Sequence, residues 1–147
     1  MRKVPLGLAY LAACLEEQGI YVEAYNLNVD DINQVDFTKF EFVGISCLTP
    51  FISIINEMCE HIHAHNPSIK VIVGGPHPTF QTEEIFDQIP AITYAVVGEG
   101  EEAFPRLVLD EEDAPNIPGV HYRDSGGMVC GSPVKRGDIH SIPYPNQ

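Results

Sequence analysis

Apolar residues follow a helical spacing in several segments of the chain. Between Leu6 and Gln18 they recur every three or four positions on one helical face, and Gly19 follows where a helix stop is expected. The same spacing predicts a helix from Pro50 to His65, which Asn66-Pro67 would end. Shorter segments of this kind predict helices over Thr82 to Gln88 and Glu101 to Leu109.

Segments rich in Val and Ile separate these helices and predict buried β-strands. The predicted strands cover Ile20 to Leu27, Phe40 to Ser46, Ile69 to Val73 and Ile92 to Val97. A polar, acidic connection with room for a short helix fills Asn28 to Lys39. Strands that alternate with helices and are apolar nearly throughout are typical of a parallel sheet covered on both faces, so we predict an α/β fold. Such a sheet normally opens with a strand, whereas this chain opens with a helix, and we therefore expect its first strand to be missing.

The character of the sequence changes after Leu109. The acidic run Asp110 to Asp113 is expected to be a solvated loop. Two short β-like segments, Ile117 to Arg123 and Met128 to Cys130, flank a glycine-rich turn, and this order predicts a β-hairpin. The residues from Pro133 to Gln147 are rich in proline and polar side chains, as in a linker. We predict a main α/β domain over residues 1–113, a hairpin extension over 114–132 and a linker over 133–147.

Length and charge exclude several classes of partner. A chain of 147 residues is about one domain, and its formal charge of −13, with only 8 Lys and Arg, argues against nucleic-acid binding. No apolar run approaches the roughly 20 residues that cross a bilayer, and the first residues lack the apolar stretch of a signal peptide. Four irregularly spaced cysteines are typical of free thiols. We therefore expect a cytoplasmic protein with no membrane partner.

Three predicted strand ends carry the candidate chemistry. Gly74-Gly75 follows one strand, Ser46 and Thr49 follow another, and Gly98-Glu99-Gly100 follows a third. Open parallel sheets bind ligands at the carboxyl ends of their strands, and glycine lets bare backbone approach a bulky group. We predict a shared ligand site there, although the hydroxyls could equally cap the helix that follows.

Three more specific interpretations are disfavoured. Gly98 to Ala103 matches a dinucleotide fingerprint in form, but its three glutamates would repel a pyrophosphate and it lies in a late βα unit. His77 stands alone between prolines, and a lone histidine is more often a hydrogen-bonded loop residue than a metal ligand. We keep His77 as a contact to a cofactor or adjoining domain. Cys59, His61, His63 and His65 divide between two faces of one helix, which favours a surface helix end over a zinc site.

Six short motifs come in the order seen in one family. They are Pro5 to Ala13, Val43 to Ser46, Gly74 to Thr79, Gly98 to Glu101, Ile117 to Val120 and Ile142 to Pro145. On these motifs the chain resembles the N-terminal cobalamin-binding domain of class B radical S-adenosylmethionine (SAM) enzymes, a group that includes cobalamin-dependent methyltransferases and the anaerobic magnesium-protoporphyrin IX monomethyl ester cyclase. The resemblance covers essentially the whole chain.

The resemblance implies a flavodoxin-like Rossmann three-layer sandwich whose strand ends hold cobalamin. It also implies a following radical SAM barrel, in the same full-length polypeptide, that holds S-adenosylmethionine and a 4Fe-4S cluster. Because the chain lacks the cluster motif CxxxCxxC, we expect it not to be catalytic alone, and no residue is predicted to ligate a metal. The predicted cofactor contacts are Gly7, Ser46, Leu48, Thr49, Gly74, Gly75, His77, Thr79, Gly98, Glu99 and Gly100.

Two other interpretations remain open. The chain could be a degenerate domain that holds no cofactor and serves as a structural or docking element, since loss of the first strand would remove part of the pocket. It could also be a receiver-like or flavin-binding domain of the same layout. A receiver needs an aspartate where Ser46 and Cys47 stand, and a flavin domain needs a hydroxyl-rich phosphate loop after its first strand.

Overall fold

The structure is a computed structural model that describes residues 4–47, 49–75, 78, 81–98 and 100–131. Four α-helices have their bounds within these residues. Short 3-10 turns cover Ile32–Gln34, Phe37–Lys39, Thr49–Phe51 and Glu111–Asn116. None of the helices described is both long and apolar enough to cross a bilayer. The helices are α1 (Leu6–Glu17), α2 (Ile52–His65), α3 (Glu84–Gln88) and α4 (Gly100–Leu109).

Five strands form one sheet within the described residues. They are β1 (Phe42–Ser46), β2 (Lys70–Gly74), β3 (Tyr94–Val96), β4 (Val120–Arg123) and β5 (Val129–Gly131), and they lie in the order β1-β2-β3-β4-β5. The first three run parallel, with Ser46 opposite Gly74 and Val73 opposite Ala95. The last two add to β3 as an antiparallel hairpin. The predicted α/β sandwich with a parallel sheet and a C-terminal hairpin is confirmed.

Strand β2 is the centre of the molecule because its two faces pack into different cores. Val71 and Val73 are fully buried in a cluster with α2 and α3. Ile72 points the other way, into a cluster with Leu107 of α4 and Ile117. A strand with both faces covered by helices has a continuous apolar sequence. The apolar run Ile69 to Val73 therefore predicted a strand close to the observed β2.

The prediction of a strand over Ile20 to Leu27 is wrong. This segment forms no strand, and residues 20–25 run beside a cavity that separates them from β1. A strand exists only where a neighbour takes up its backbone hydrogen bonds, and no neighbour is in place. For the same reason β1, predicted to be buried, is the edge of the sheet in the described chain, and Gly44 and Ser46 are exposed.

The acidic run after α4 is more structured than predicted. Residues Glu111–Asn116 form a 3-10 turn instead of a solvated loop, and the Glu111 carboxylate accepts hydrogen bonds from Lys70 Nζ and from the Tyr94 hydroxyl, the latter at 2.8 Å. Burial opposes ionisation of Glu111, but these two donors hold its pKa below its ordinary value. Burial and the same carboxylate raise the pKa of Tyr94. The predicted linker over 133–147 lies outside the described residues.

We predict that Ile72→Ala destabilises the fold by about 2 to 5 kcal/mol, because it leaves a cavity at a fully buried position. Urea unfolding followed by circular dichroism measures this change. The exposed Met128 is the control, since Met128→Ala should change stability by about 0.5 kcal/mol or less. Equal effects of the two substitutions would contradict the assignment of β2 to the core.

We predict that Glu111→Gln reduces the sensitivity of the fold to acid. Since the pKa of Glu111 is lower in the folded chain than its ordinary value of 4.5, its stabilisation is fully present above that value. It disappears as the pH falls through the lower folded-state pKa. Urea midpoints between about pH 6 and pH 3 should therefore fall less for Glu111→Gln than for the parent chain. The adjacent, exposed Glu112 offers the control variant Glu112→Gln, which should retain the parent's acid sensitivity.

Candidate functional site

A cavity of about 680 Å³ lies between the outer edge of β1 and residues 20–25. Helices α1 and α4 form one wall, through apolar side chains that include Leu11 and Phe104. The cavity reaches the carboxyl ends of β1 and β2 at Ser46 and Gly75. It is therefore both a groove along the sheet edge and a pocket at the strand ends.

Most of the predicted contact residues that the structure describes line this one cavity. They are Gly7, Ser46, Gly74, Gly75, Gly98 and Gly100. Thr49 begins the 3-10 turn before α2, and its side chain is outside what the structure describes. Leu48, His77, Thr79 and Glu99 lie outside the described residues. The sequence motifs thus converge on one place, although they come from four separate chain segments.

Gly75 is the tightest point of the strand-end pocket. Its φ of +98° is a conformation that residues with a side chain rarely adopt. A Cβ on Gly75 would lie 3.1 Å from the backbone N and O of Cys47 and from Ser46 Oγ. Just beside it, Cys47 N donates a 2.8 Å hydrogen bond to Gly74 O. Glycine is therefore needed here to bring two strand ends together with bare backbone facing the cavity.

Gly7 lines the opposite wall, where space is open. No atom lies within 4 Å of a Cβ built on Gly7, near the start of α1. Gly100, which begins α4, is tighter, because a Cβ there would lie 3.3 Å from Leu11 Cδ2. The two glycines thus have different roles: Gly7 leaves room in the cavity, and Gly100 lets α4 approach α1.

The sequence prediction missed two parts of the lining. The spacing of Leu8, Leu11 and Leu15 predicts only an apolar face of α1, whereas in the structure these side chains line the cavity. Residues 20–25, which were predicted to lie in a strand, line it as well. The helical spacing did signal that α1 has an apolar face, but nothing in it could show that part of this face borders a cavity.

One carboxyl group of the lining is incompletely satisfied. Glu101, in the first turn of α4, buries its Oε2 atom without a hydrogen-bond partner in the described chain. It faces α1 closely enough to act on Cys14, whose pKa is raised mainly by burial and further by Glu101 and Glu17. A ligand that brings a hydrogen-bond donor into this part of the cavity could donate to Glu101 Oε2.

The histidine-rich end of α2 is not a metal site. His63 Nε2 lies 3.1 Å from Ile69 O, and His65 Nδ1 lies 2.8 Å from His61 O. Burial raises the pKa of Cys59 to about 11, so this thiol stays protonated in the core. Over the part of the chain that the structure describes, no three His, Cys, Asp or Glu side chains could jointly hold a metal ion.

The chemistry of the cavity is that of binding, because backbone without side chains and the Ser46 hydroxyl at the strand ends adjoin a mainly apolar wall. The polar and charged members of the lining are Tyr21, Glu23, Tyr25, Lys39, Glu41 and Glu101. Leu8, Leu11 and Phe104 offer an apolar wall. Such a site fits a large ligand with many amide and hydroxyl groups and an apolar ring.

Comparison with known proteins gives the family of the chain. The model of the B12 binding domain matches residues 3–108. An uncharacterized methyltransferase of Pyrococcus horikoshii is 33% identical over 97% of this chain and 33% of its own length. The anaerobic magnesium-protoporphyrin IX monomethyl ester cyclase of Rubrivivax gelatinosus is 28% identical over 89% of this chain and 26% of its own. The chain thus spans about a third or less of these relatives.

A solved structure supports the fold over nearly the whole chain. The cobalamin-dependent S-adenosylmethionine radical enzyme OxsB, with aqua-cobalamin and S-adenosylmethionine bound, superimposes with a TM-score of 0.80. The match covers 99% of this chain and 22% of that enzyme, at 22% sequence identity. At this identity the likeness concerns the fold.

We predict that Gly75→Ala destabilises the chain by about 1 to 3 kcal/mol, because alanine must adopt a positive φ and its Cβ meets the Cys47 backbone. Gly7→Ala is the matched control, since it adds the same methyl group at an open position within a helix. Its stability should be unchanged or higher by up to about 1 kcal/mol. Urea unfolding of both variants measures the difference. If Gly75→Ala left the free energy of unfolding unchanged, this strand end would not be tightly packed.

Proposed function

The chain belongs to the B12-binding domain family, and we propose that it is the cobalamin-binding module of a radical SAM enzyme. The single observation that carries this proposal is the convergence of strand-end residues on one cavity. Ser46, Gly75 and Gly98 come from different strand ends, yet all line the same space. That space is large, largely apolar and free of a charged cluster that could hold a metal within the described residues, as a site for an intact organic cofactor should be.

The residues present fit cobalamin in their chemistry. Gly74 and Gly75, which have no side chains, would let the nucleotide tail approach the strand ends, and the Ser46 hydroxyl would bind its amides or its ribose. The apolar wall at Leu11 and Phe104 would accept the nucleotide base and exclude water. When bound, the cofactor supplies the cobalt centre that carries the reactive group, and the protein supplies position and shielding.

The length of the relatives supports the presence of a second domain in the full polypeptide. Because the chain spans about a third or less of two curated relatives, we infer that a radical SAM barrel, in the same polypeptide, is the partner of this module. That barrel would hold S-adenosylmethionine and the 4Fe-4S cluster. The reaction would be a methyl transfer or a cyclisation, as in the relatives named for these activities.

A docking element without cofactor is the second candidate. The observation that favours it is the open outer edge of β1, which leaves the cavity without a continuous wall between β1 and residues 20–25. An incomplete wall would weaken cofactor binding while leaving the helices available for contact with another domain. The two candidates differ in one measurable property, which is binding of a corrinoid.

We predict that the purified chain shifts the absorption spectrum of hydroxocobalamin and retains corrinoid through desalting. Gly7→Trp should weaken this binding by about tenfold or more, because the indole would occupy open cavity space that the cofactor needs. Met128→Trp, on the exposed hairpin, introduces the same side chain away from the cavity and should bind as the parent chain does. Affinities from the spectral titration give the comparison.

Two results would count against the proposal. A parent chain that neither shifts the spectrum nor retains corrinoid would favour the docking element. Equal corrinoid affinities of the parent chain and Gly7→Trp would instead show that cobalamin binds outside this cavity. Circular dichroism of each variant verifies that the chain remains folded.

A further inference from the structure

Glu101 is a half-buried acidic residue on the inward face of α4. It shares that face with Phe104 and Val108, three and seven positions later, and all three line the cavity. The next residue, Glu102, is exposed, as a glutamate on a helix normally is. A helix face with this spacing normally carries apolar side chains. The presence of Glu101 there therefore requires an explanation in the cavity itself.

The position of Glu101 at the start of a helix does not explain its burial. A glutamate in the first turn interacts favourably with the helix dipole, and both Glu101 and Glu102 lie in the first turn of α4. Glu102 has that interaction while it remains in water. Glu101 instead buries its Oε2 atom, and no donor of the described chain reaches this atom. Such an acceptor destabilises the fold unless a bound molecule supplies the donor.

Glu101 belongs to the apolar wall that we propose accepts the nucleotide base. Gly100, the residue before it, packs on α1, since a Cβ there would lie 3.3 Å from Leu11 Cδ2. Phe104, three residues after it, lies over β1, since a Cβ on Gly44 would be 2.7 Å from the Phe104 ring. Glu101 is therefore the charged member of the wall that Leu11 and Phe104 form.

The carboxyl group of Glu101 can offer an acceptor to a ligand in the cavity. The last torsion of a glutamate side chain is broad, so the carboxyl group can turn either oxygen toward the cavity. The group lies close to α1, because burial first, and Glu101 after it, raise the pKa of the Cys14 thiol. A thiol is a weak donor, and Cys14 therefore does not replace an N–H group of a ligand.

Cobamides, the corrinoids that carry a nucleotide tail, differ in the base of that tail. The base of cobalamin is dimethylbenzimidazole, which has methyl groups at its outer edge and no N–H donor. Adenine in the same place carries an exocyclic amine with two N–H donors. An apolar wall accepts the ring of either base, but only the amine can donate to a buried oxygen. A site built around a hydrogen bond discriminates strongly against a ligand that cannot form it.

We propose that Glu101 makes this site selective for cobamides whose base carries an N–H donor. The Glu101 carboxyl group accepts a hydrogen bond from the exocyclic amine, while Leu11 and Phe104 contact the ring. This selectivity rests on the proposed cofactor function, since it concerns the base of that cofactor. Cobalamin still binds, because Ser46 and the glycines at the strand ends contact groups that all cobamides share. It leaves Glu101 Oε2 without a donor, and its affinity is lower for that reason.

The test compares adeninylcobamide with purinylcobamide, which differ only in the exocyclic amine. Spectral titration of the purified chain measures both affinities, and the parent chain should bind adeninylcobamide about tenfold more tightly. Glu101→Met has a side chain of similar length without the carboxyl acceptor, and it should bind the two cobamides equally. It should also bind hydroxocobalamin at least as tightly as the parent chain does, because no buried oxygen is left without a donor. Glu101→Gln retains an acceptor and should keep part of the preference.

The exposed neighbour provides the matched control, since Glu102→Gln should keep the full preference of the parent chain. If the parent chain bound both cobamides with equal affinity, the selectivity would be overturned and the proposed function would stand. An equal loss of affinity for all three corrinoids in Glu101→Met would place the donor in their shared ribose or amides, and this too would overturn the selectivity. If no corrinoid bound the parent chain, the proposed function and the selectivity would both fail. Circular dichroism verifies that each variant is folded.

Discussion

Backbone pairing between β1 and β2 is the constraint on which the site depends. The parallel register sets Ser46 opposite Gly74, and the 2.8 Å bond from Cys47 N to Gly74 O extends the pairing one step past the strand end. Gly75 then turns with a positive φ and packs closely on the end of β1. A Cβ on Gly75 would lie only 3.1 Å from the Cys47 backbone and from Ser46 Oγ. The hydroxyl and bare backbone that could bind a ligand are adjacent only because this register holds.

The same sheet explains why the cavity lies beside β1. Strand β2 has neighbours on both edges and helices on both faces, so its three central residues, Val71 to Val73, are buried. Strand β1 has a neighbour on one edge only, and the cavity begins where its second neighbour would be. The pocket at the strand ends and the groove along β1 are two regions of a single cavity. They differ in the groups they present: glycine backbone and a hydroxyl at the strand ends, and mainly apolar walls along β1.

The agreement between sequence and structure varies with the range of the interactions involved. Helix α1 ends at Glu17, just before Gly19 with its positive φ, as the local spacing and the glycine predicted. Ile20 to Leu27 has the composition of a strand, but composition cannot supply a neighbouring strand, and the segment does not join the sheet in the described chain. Glu111 belongs to an acidic run that was predicted to be a solvated loop. No local pattern indicates its partner, because Lys70 lies 41 positions away in the sequence. Its ion pair depends on how α4 returns along the sheet.

The sequence by itself determined the alternation of helices and strands, the parallel sheet and the identity of the glycines at the strand ends, because these depend on local spacing and on backbone conformations that only certain residues adopt. Only the tertiary structure decided that Gly7, Ser46, Gly75 and Gly98 share one cavity, that β1 is an edge and that Glu101 buries an unpartnered oxygen. Each of these properties belongs to a contact between distant segments. Which groups then lie close together is decided by sheet register and helix packing, and no local pattern carries that information.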